Sequence, residues 1–189
     1  MATSNQLNLT PLLQGRINKL VLNPSWHVPP RIKERELDVL ARQDPAIYDT
    51  FRLYVDESGR ERAVQRPGPH SALGQVKLAF PNDHAIFLHD TPRKDLFAQT
   101  DRAISHGCIR VENAIGLAKS LLAREPEALA PSQVDELLRA NYETPISLTH
   151  GIHVTIEYRT AGTSMDGAFR FFPDVYGWGH ARAPEATKH

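Results

Sequence analysis

What this chain lacks narrows the field before anything it contains. It has one cysteine, Cys108, in 189 residues, so an intrachain disulfide framework and a cysteine-rich zinc site are both excluded. It has no net charge, with 22 basic and 22 acidic residues, and so no support for the basic face that a nucleic-acid partner requires. No stretch approaches the roughly 18 apolar residues of a membrane span. The opening residues, Met1 to Gln6, lack the basic and apolar regions of a secretory signal. That leaves an intracellular protein, a segment of a longer exported one, or export by another route. Nine histidines are present, but the closest pair, His150 and His153, falls in an expected turn and strand, so no metal site is expected.

What is present is ordinary globular material, 41% hydrophobic, and long enough for one sizeable core. Residues 1–16 are polar and read as a loose N-terminal segment; one domain is expected over 17–180, with 181–189 as a tail. Lys19 to Leu22 reads as a short strand stopped by Asn23-Pro24. A helix follows near 31–43 with Ile32, Leu37 and Leu40 on its apolar side, and the mixed charges from Arg31 to Glu36 read as its solvated face. Phe51 to Val55 and Gln75 to Phe80 alternate like strands, with a turn at Asp56 to Gly59. Ala85 to His89 reads as a buried strand, and 90–104 as a polar loop. Ala114, Leu117, Ala118, Leu121 and Leu122 share one helical face. A second helix begins near Ser132, its candidate N-cap. Ile146 to Leu148 and Ile152 to Tyr158, flanking His150-Gly151, predict a terminal hairpin. The fold class is mainly β with packed helices, α+β.

Most lone cysteines are small buried apolar side chains. Cys108 has a different neighbourhood. It ends the run Ser105-His106-Gly107-Cys108, and His89 stands at a strand end fifteen intervening residues before Ser105. An imidazole can take the proton of a thiol and so make the nucleophile. Gly107 allows a close approach, and consecutive N–H groups around 106–108 suit an oxyanion.

His89 with Ser105-His106-Gly107-Cys108 resembles the signature of the L,D-transpeptidase (YkuD-type) catalytic domain. The likeness extends to Leu22-Asn23-Pro24-Ser25-Trp26, Pro67-Gly68-Pro69, Leu73-Gly74, Leu88-His89-Asp90-Thr91-Pro92, Cys108-Ile109-Arg110-Val111 and Asp174-Val175-Tyr176-Gly177. These match the longer, lid-containing branch. The resemblance implies a β-sandwich or barrel with a helical lid-like insertion at 31–66. It implies Cys108 as nucleophile, His89 as base, and the backbone carbonyl of Asp90 as the group orienting His89. Gly107 and Cys108, with His106, would supply the oxyanion hole; Ser105 and His106 would shape the pocket. Arg110 would steady the loop or meet a substrate carboxylate, and Trp26 would pack in the core. The implied reaction is acyl transfer on peptidoglycan tetrapeptide stems through a thioester, forming 3→3 crosslinks without a cofactor. The implied compartment is the periplasm or cell envelope, and carbapenem-type inhibitors would acylate the cysteine. Hydrolysis of the same acyl-enzyme, by a carboxypeptidase or amidase, and a silent peptidoglycan-binding protein are the alternatives. The acceptor and the oligomeric state stay open.

Overall fold

The computed structural model describes residues 9–164 and 166–178. Its spine is β1 (Leu13–Leu22), whose inward residues Leu13, Gly15 and Ile17 alternate with exposed Gln14 and Arg16. One edge of β1 pairs antiparallel with β5 (Val76–Ala79), matching Leu20 to Leu78 and Leu22 to Val76. The other pairs antiparallel with β8 (Thr144–Ile156). Beyond β5 lie β6 (Leu88–His89), antiparallel to β5, and β7 (Ile109–Arg110), parallel to β6. The sheet order is β7-β6-β5-β1-β8.

Because residues alternate faces, Leu20, Leu22, Val76 and Leu78 all point to one side of this sheet. There they meet Ala114, Ala118, Leu121 and Leu122 of α3 (Ala114–Leu122) and Val134 and Leu138 of α4 (Pro131–Ala140), forming one buried cluster. Each leucine so buried contributes about 2 kcal/mol. Asn23, buried just past β1, locks the sheet to α4: its Nδ2 donates to the carbonyls of Leu137 at 2.9 Å, Leu138 at 3.2 Å and Tyr142 at 3.3 Å.

A second unit precedes β5. β2 (Trp26–His27), β3 (Phe51–Val55) and β4 (Glu61–Gln65) form a three-stranded sheet of order β2-β4-β3. Two short α-helical turns, α1 (Pro30–Ile32) and α2 (Asp38–Ala41), flank a π-helical turn at Lys33–Leu37. Val28, Leu37 and Ala63 make its small core, with Trp26, Ile32, Tyr48 and Phe51 packed against it. The expected lid-like insertion is therefore half sheet, not purely helical. A hairpin of β9 (Ala161–Thr163) and β10 (Phe169–Phe171) follows β8. Among the described residues no helix is long and apolar enough to cross a membrane.

Five local expectations need correction. The first strand starts at Leu13 and not Lys19, because the alternation of Leu13, Gly15 and Ile17 supplies a buried face that its polar neighbours mask. The terminal hairpin is instead one strand, β8. The register jumps from Ile17↔Ile152 to Lys19↔Ser147, so His150-Gly151 is a bulge. Glycine is needed there for room: a Cβ on Gly151 would lie 2.2 Å from the Ile17 carbonyl oxygen. The bulge's N–H groups are not wasted, since the Glu125 carboxylate accepts from Thr149 and His150. The strand expected over Ala85 to His89 shrinks to Leu88–His89. Asn82 captures the preceding residues in a turn, its Oδ1 accepting from the N–H groups of His84 and Ile86. The π-helical turn rotates the 31–43 segment, so Leu40 is exposed and Lys33 is buried. Finally, α4 starts at Pro131, and it is the Gln133 side chain, not Ser132, that caps it by accepting from the Ala130 N–H at 2.8 Å.

Candidate active site

The parallel pairing of β6 with β7 decides what meets at the sheet edge. Its register sets Leu88 beside Ile109 and His89 beside Arg110. Two backbone bonds frame it, from the Ile109 N–H to the Phe87 carbonyl at 3.1 Å and from the Val111 N–H to the His89 carbonyl at 2.8 Å. Alternation then puts Arg110, Phe87 and His89 on the face opposite the helical core, while Cys108, just ahead of β7, packs against that core and still feels the charges of Lys77 and Arg110. The Phe87 and His89 rings lie 5.7 Å apart on that face, edge to face. On the next strand, β5, Lys77 is the register partner of His89. The eighteen residues 90–107 thus return the chain so that a thiol, an imidazole and two cations gather at one sheet edge.

His89 is buried, and its Nδ1 contacts the backbone carbonyl of Asp90. A carbonyl oxygen only accepts, so Nδ1 carries the proton and Nε2 presents its lone pair. Burial pushes the imidazole down to about 4; the Asp90 carbonyl opposes this and the Arg110 charge adds to it. At neutral pH His89 is an unprotonated base. The Asp90 side chain does different work. It is buried, accepts from the Gln75 N–H at 2.9 Å and pairs with Lys94 at 2.5 Å, while Lys94 also donates to the Glu112 carbonyl at 2.5 Å. The carboxylate braces the loop whose carbonyl sets the imidazole.

Cys108 is partly buried, and its thiol donates to the Ala85 carbonyl at 3.9 Å. Burial raises its pKa; a backbone hydrogen bond at Phe87 and the charges of Lys77 and Arg110 pull the other way. The resting pair is therefore a neutral thiol and a neutral imidazole. Gly107 takes φ = 104°, a conformation that a side chain would strain, and this turn delivers Cys108 to β7. The Gly107 N–H donates to Ser105 Oγ at 3.2 Å, so to serve an oxyanion it must exchange that partner. His106 points away from the thiol: it is exposed and its Nε2 meets Glu36 Oε1 at 2.6 Å, joining the nucleophile loop to the lid-like unit. Arg110 is half-buried, and its Nε is buried with no hydrogen-bond partner.

A cleft opens beside Cys108 and Arg110, walled also by Phe97, Arg102, Ile104 and Tyr176. Tyr176 is held there by stacking on Tyr158 at 4.7 Å between ring centres and by its N–H, which donates to Tyr158 Oη at 3.1 Å. Trp26 packs against the small core of the lid-like unit, away from this cleft. The residues that sequence reasoning passed over are Lys77, Phe87 and Arg102. Lys77 sits at an alternating strand position that reads as solvent-facing, and nothing in the linear pattern reveals that it shares a face with His89. Among the described residues no group of three or more His, Cys, Asp or Glu is arranged to hold a metal ion.

Comparison with known proteins gives the family. The model of the L,D-transpeptidase catalytic domain, YkuD, matches residues 3–156. A Haemophilus influenzae protein provisionally named an L,D-transpeptidase is 29% identical over 186 residues, covering 89% of this chain. The chain spans only 37% of that protein's length. The match begins at residue 3, well before the polar segment was expected to end. With a family model covering most of its length and an α+β fold to suit it, the chain belongs to the YkuD family of L,D-transpeptidase catalytic domains.

Proposed function

We propose that this chain is a cysteine acyltransferase acting on peptidoglycan tetrapeptide stems, with Cys108 as nucleophile and His89 as general base. The observation that supports the reading is the β6–β7 register, which runs the segment beginning after Cys108 alongside His89, while the Asp90 carbonyl fixes the imidazole's tautomer. The Cys108 side chain turns from the Ala85 carbonyl toward His89 Nε2, which takes the thiol proton. The sulfur adds to the carbonyl carbon of the amide that follows the L-centre of meso-diaminopimelate, and the carbonyl π pair moves to oxygen. N–H groups of the 106–108 loop receive that oxyanion. The intermediate collapses, the terminal D-Ala nitrogen takes the proton back from His89, and a thioester remains. An acceptor amine then loses its proton to His89, attacks the thioester and expels Cys108, leaving a 3→3 crosslink. Arg110, with its unpartnered Nε beside the cleft, holds a donor carboxylate. The lid-like unit covers the bound stem. The substrate sets the reaction in the periplasm or cell envelope.

Intact-mass analysis with a tetrapeptide donor tests this. A Cys108 adduct of donor minus D-Ala, converted to a dimer by an added stem amine, is the expected result. Tripeptide without dimer assigns hydrolysis instead, and no adduct with either donor or a carbapenem overturns the reading.

A further inference from the structure

Lys77 is half-buried at the centre of the reactive face, and its surroundings are unusual for an ammonium. Its Nζ sits 4.1 Å from the centre of the Phe87 ring. Among the described residues no carboxylate lies within salt-bridge distance of it. Glu143 acts on it only at longer range, and that carboxylate is already held by the Ser25 N–H at 2.8 Å. Lys19, on β1, adds a like charge. The charges acting on Cys108 are then Arg110 from β7 and Lys77 from β5, with His89 of β6 as the register partner of both; the two charges are cations, and none of the three groups is an anion. A buried cation without a counter-ion is costly unless an anion arrives during function. The anion available to Lys77 is the sulfur.

We propose that Lys77 is a positioning residue of the site: its ammonium, seated on Phe87, supports the thiolate of Cys108 and keeps His89 free of a proton. Both effects run in one direction. A fixed positive charge favours the deprotonated form of each neighbour, so the thiol ionises more readily and the imidazole stays a base. The proton leaves Cys108 for His89 and passes on to solvent or leaving group, while Lys77 keeps all of its own. This rests on the reading of Cys108 as a nucleophile, and its test needs no peptidoglycan.

The chain's single cysteine makes the experiment clean. The rate of Cys108 alkylation by iodoacetamide, followed by intact mass across about pH 5 to 10, reports thiolate formation in the full chain. In Lys77→Met the midpoint should move up by about one pH unit, which is roughly a tenfold slower reaction on the acid limb. Lys77→Arg, which keeps the charge, should stay within about threefold. A Lys77→Met profile that superimposes on wild type, whatever its melting temperature, assigns Lys77 to packing alone and overturns the proposal. If that variant does not fold, the wild type decides. Blocking Cys108 with methyl methanethiosulfonate removes the thiolate and must move the Lys77 ammonium titration, read by NMR, to lower pH, because the coupling is reciprocal. No movement overturns the proposal. A wild-type Cys108 that is not alkylated at any pH overturns instead the reading of the nucleophile.

Discussion

The lid-like unit and the five-stranded sheet each hold a lysine withdrawn from water, and the two are treated in opposite ways. Lys33, in the lid-like unit, is 5% exposed and fully provided for. Its Nζ donates to Asp38 at 2.9 Å and Glu61 at 2.6 Å, and Tyr48 completes the group with a hydroxyl bond to Asp38. Burial alone would favour the neutral amine, but the bonds to Glu61 and Asp38 outweigh it and hold Lys33 well above the ordinary lysine range. Lys77, on the five-stranded sheet, has an aromatic face and no carboxylate, and burial lowers its pKa. The charge of Lys33 is closed within the lid-like unit; the sheet beside Cys108 leaves Lys77 and the Nε of Arg110 open. Charge satisfied locally stabilises a fold, and charge left open awaits a change elsewhere.

The sharpest way to break that contrast is to remove what the open charges face. Cys108→Ala should abolish acylation by donor and carbapenem while leaving the thermal transition in place. His89→Ala should slow acylation by roughly 100- to 10,000-fold, since a positioned base contributes on that scale. Stopped-flow acylation measures both. A His89→Ala rate near wild type would move the base elsewhere, with His106 the next candidate despite its engagement with Glu36.

Acidity comes next. His89 titrates at about 4 in the fold, against 6.5 for the free side chain. Between these values the unfolded chain binds a proton that the folded site refuses. The stability from this residue is therefore complete above about pH 6.5 and is lost as pH falls toward 4, on the order of 3 kcal/mol in all. Denaturant midpoints compared for wild type and His89→Gln should converge across that window. Acylation should persist to pH values at which an ordinary imidazole is already protonated. A rate that fails at pH 6.5 contradicts the open-charge description of this face.

How much of this was legible follows the range of each signal. His89 and the Ser105–Cys108 run stand out because catalysis concentrates specific residue types in short stretches. The α3 face was readable because helical periodicity is local and Ala114, Ala118, Leu121 and Leu122 are all buried. Lys77 was not, since its meaning comes from a strand register with His89 twelve residues on. Lys33 was misread as part of a solvated face because only a π-helical turn rotates it inward, toward Glu61 on a distant strand. Gly151 read as a turn because a glycine needed for room looks the same in sequence as one needed for φ.

Lys33→Met should then cost the lid-like unit about 1–3 kcal/mol. Removing one member of a buried pair costs more than that where both are enclosed, but Asp38 and Glu61 are 30% and 56% exposed and recover water. Hydrogen exchange over residues 26–65 should rise while the Cys108 alkylation midpoint stays where it was. Lys77→Met should do the reverse. If both lysines move the midpoint equally, the lid-like unit and the five-stranded sheet are electrically one and the contrast fails.

The smallest effect concerns a side-chain bond that joins the two units at the nucleophile loop. Glu36 and His106 are seventy residues apart in sequence and meet at 2.6 Å, but their side chains are 49% and 39% exposed. A pair so exposed is worth about 0.5 kcal/mol. Glu36→Gln should leave global stability within error, yet the same energy is about a twofold change in how often the lid-like unit rests on the loop. The expected readout is an approximately twofold change in KM for a tetrapeptide donor with kcat retained, reproduced in wild type by raising the salt concentration. If salt changes wild type and Glu36→Gln alike, the bond is incidental and does not set how the lid-like unit meets the loop.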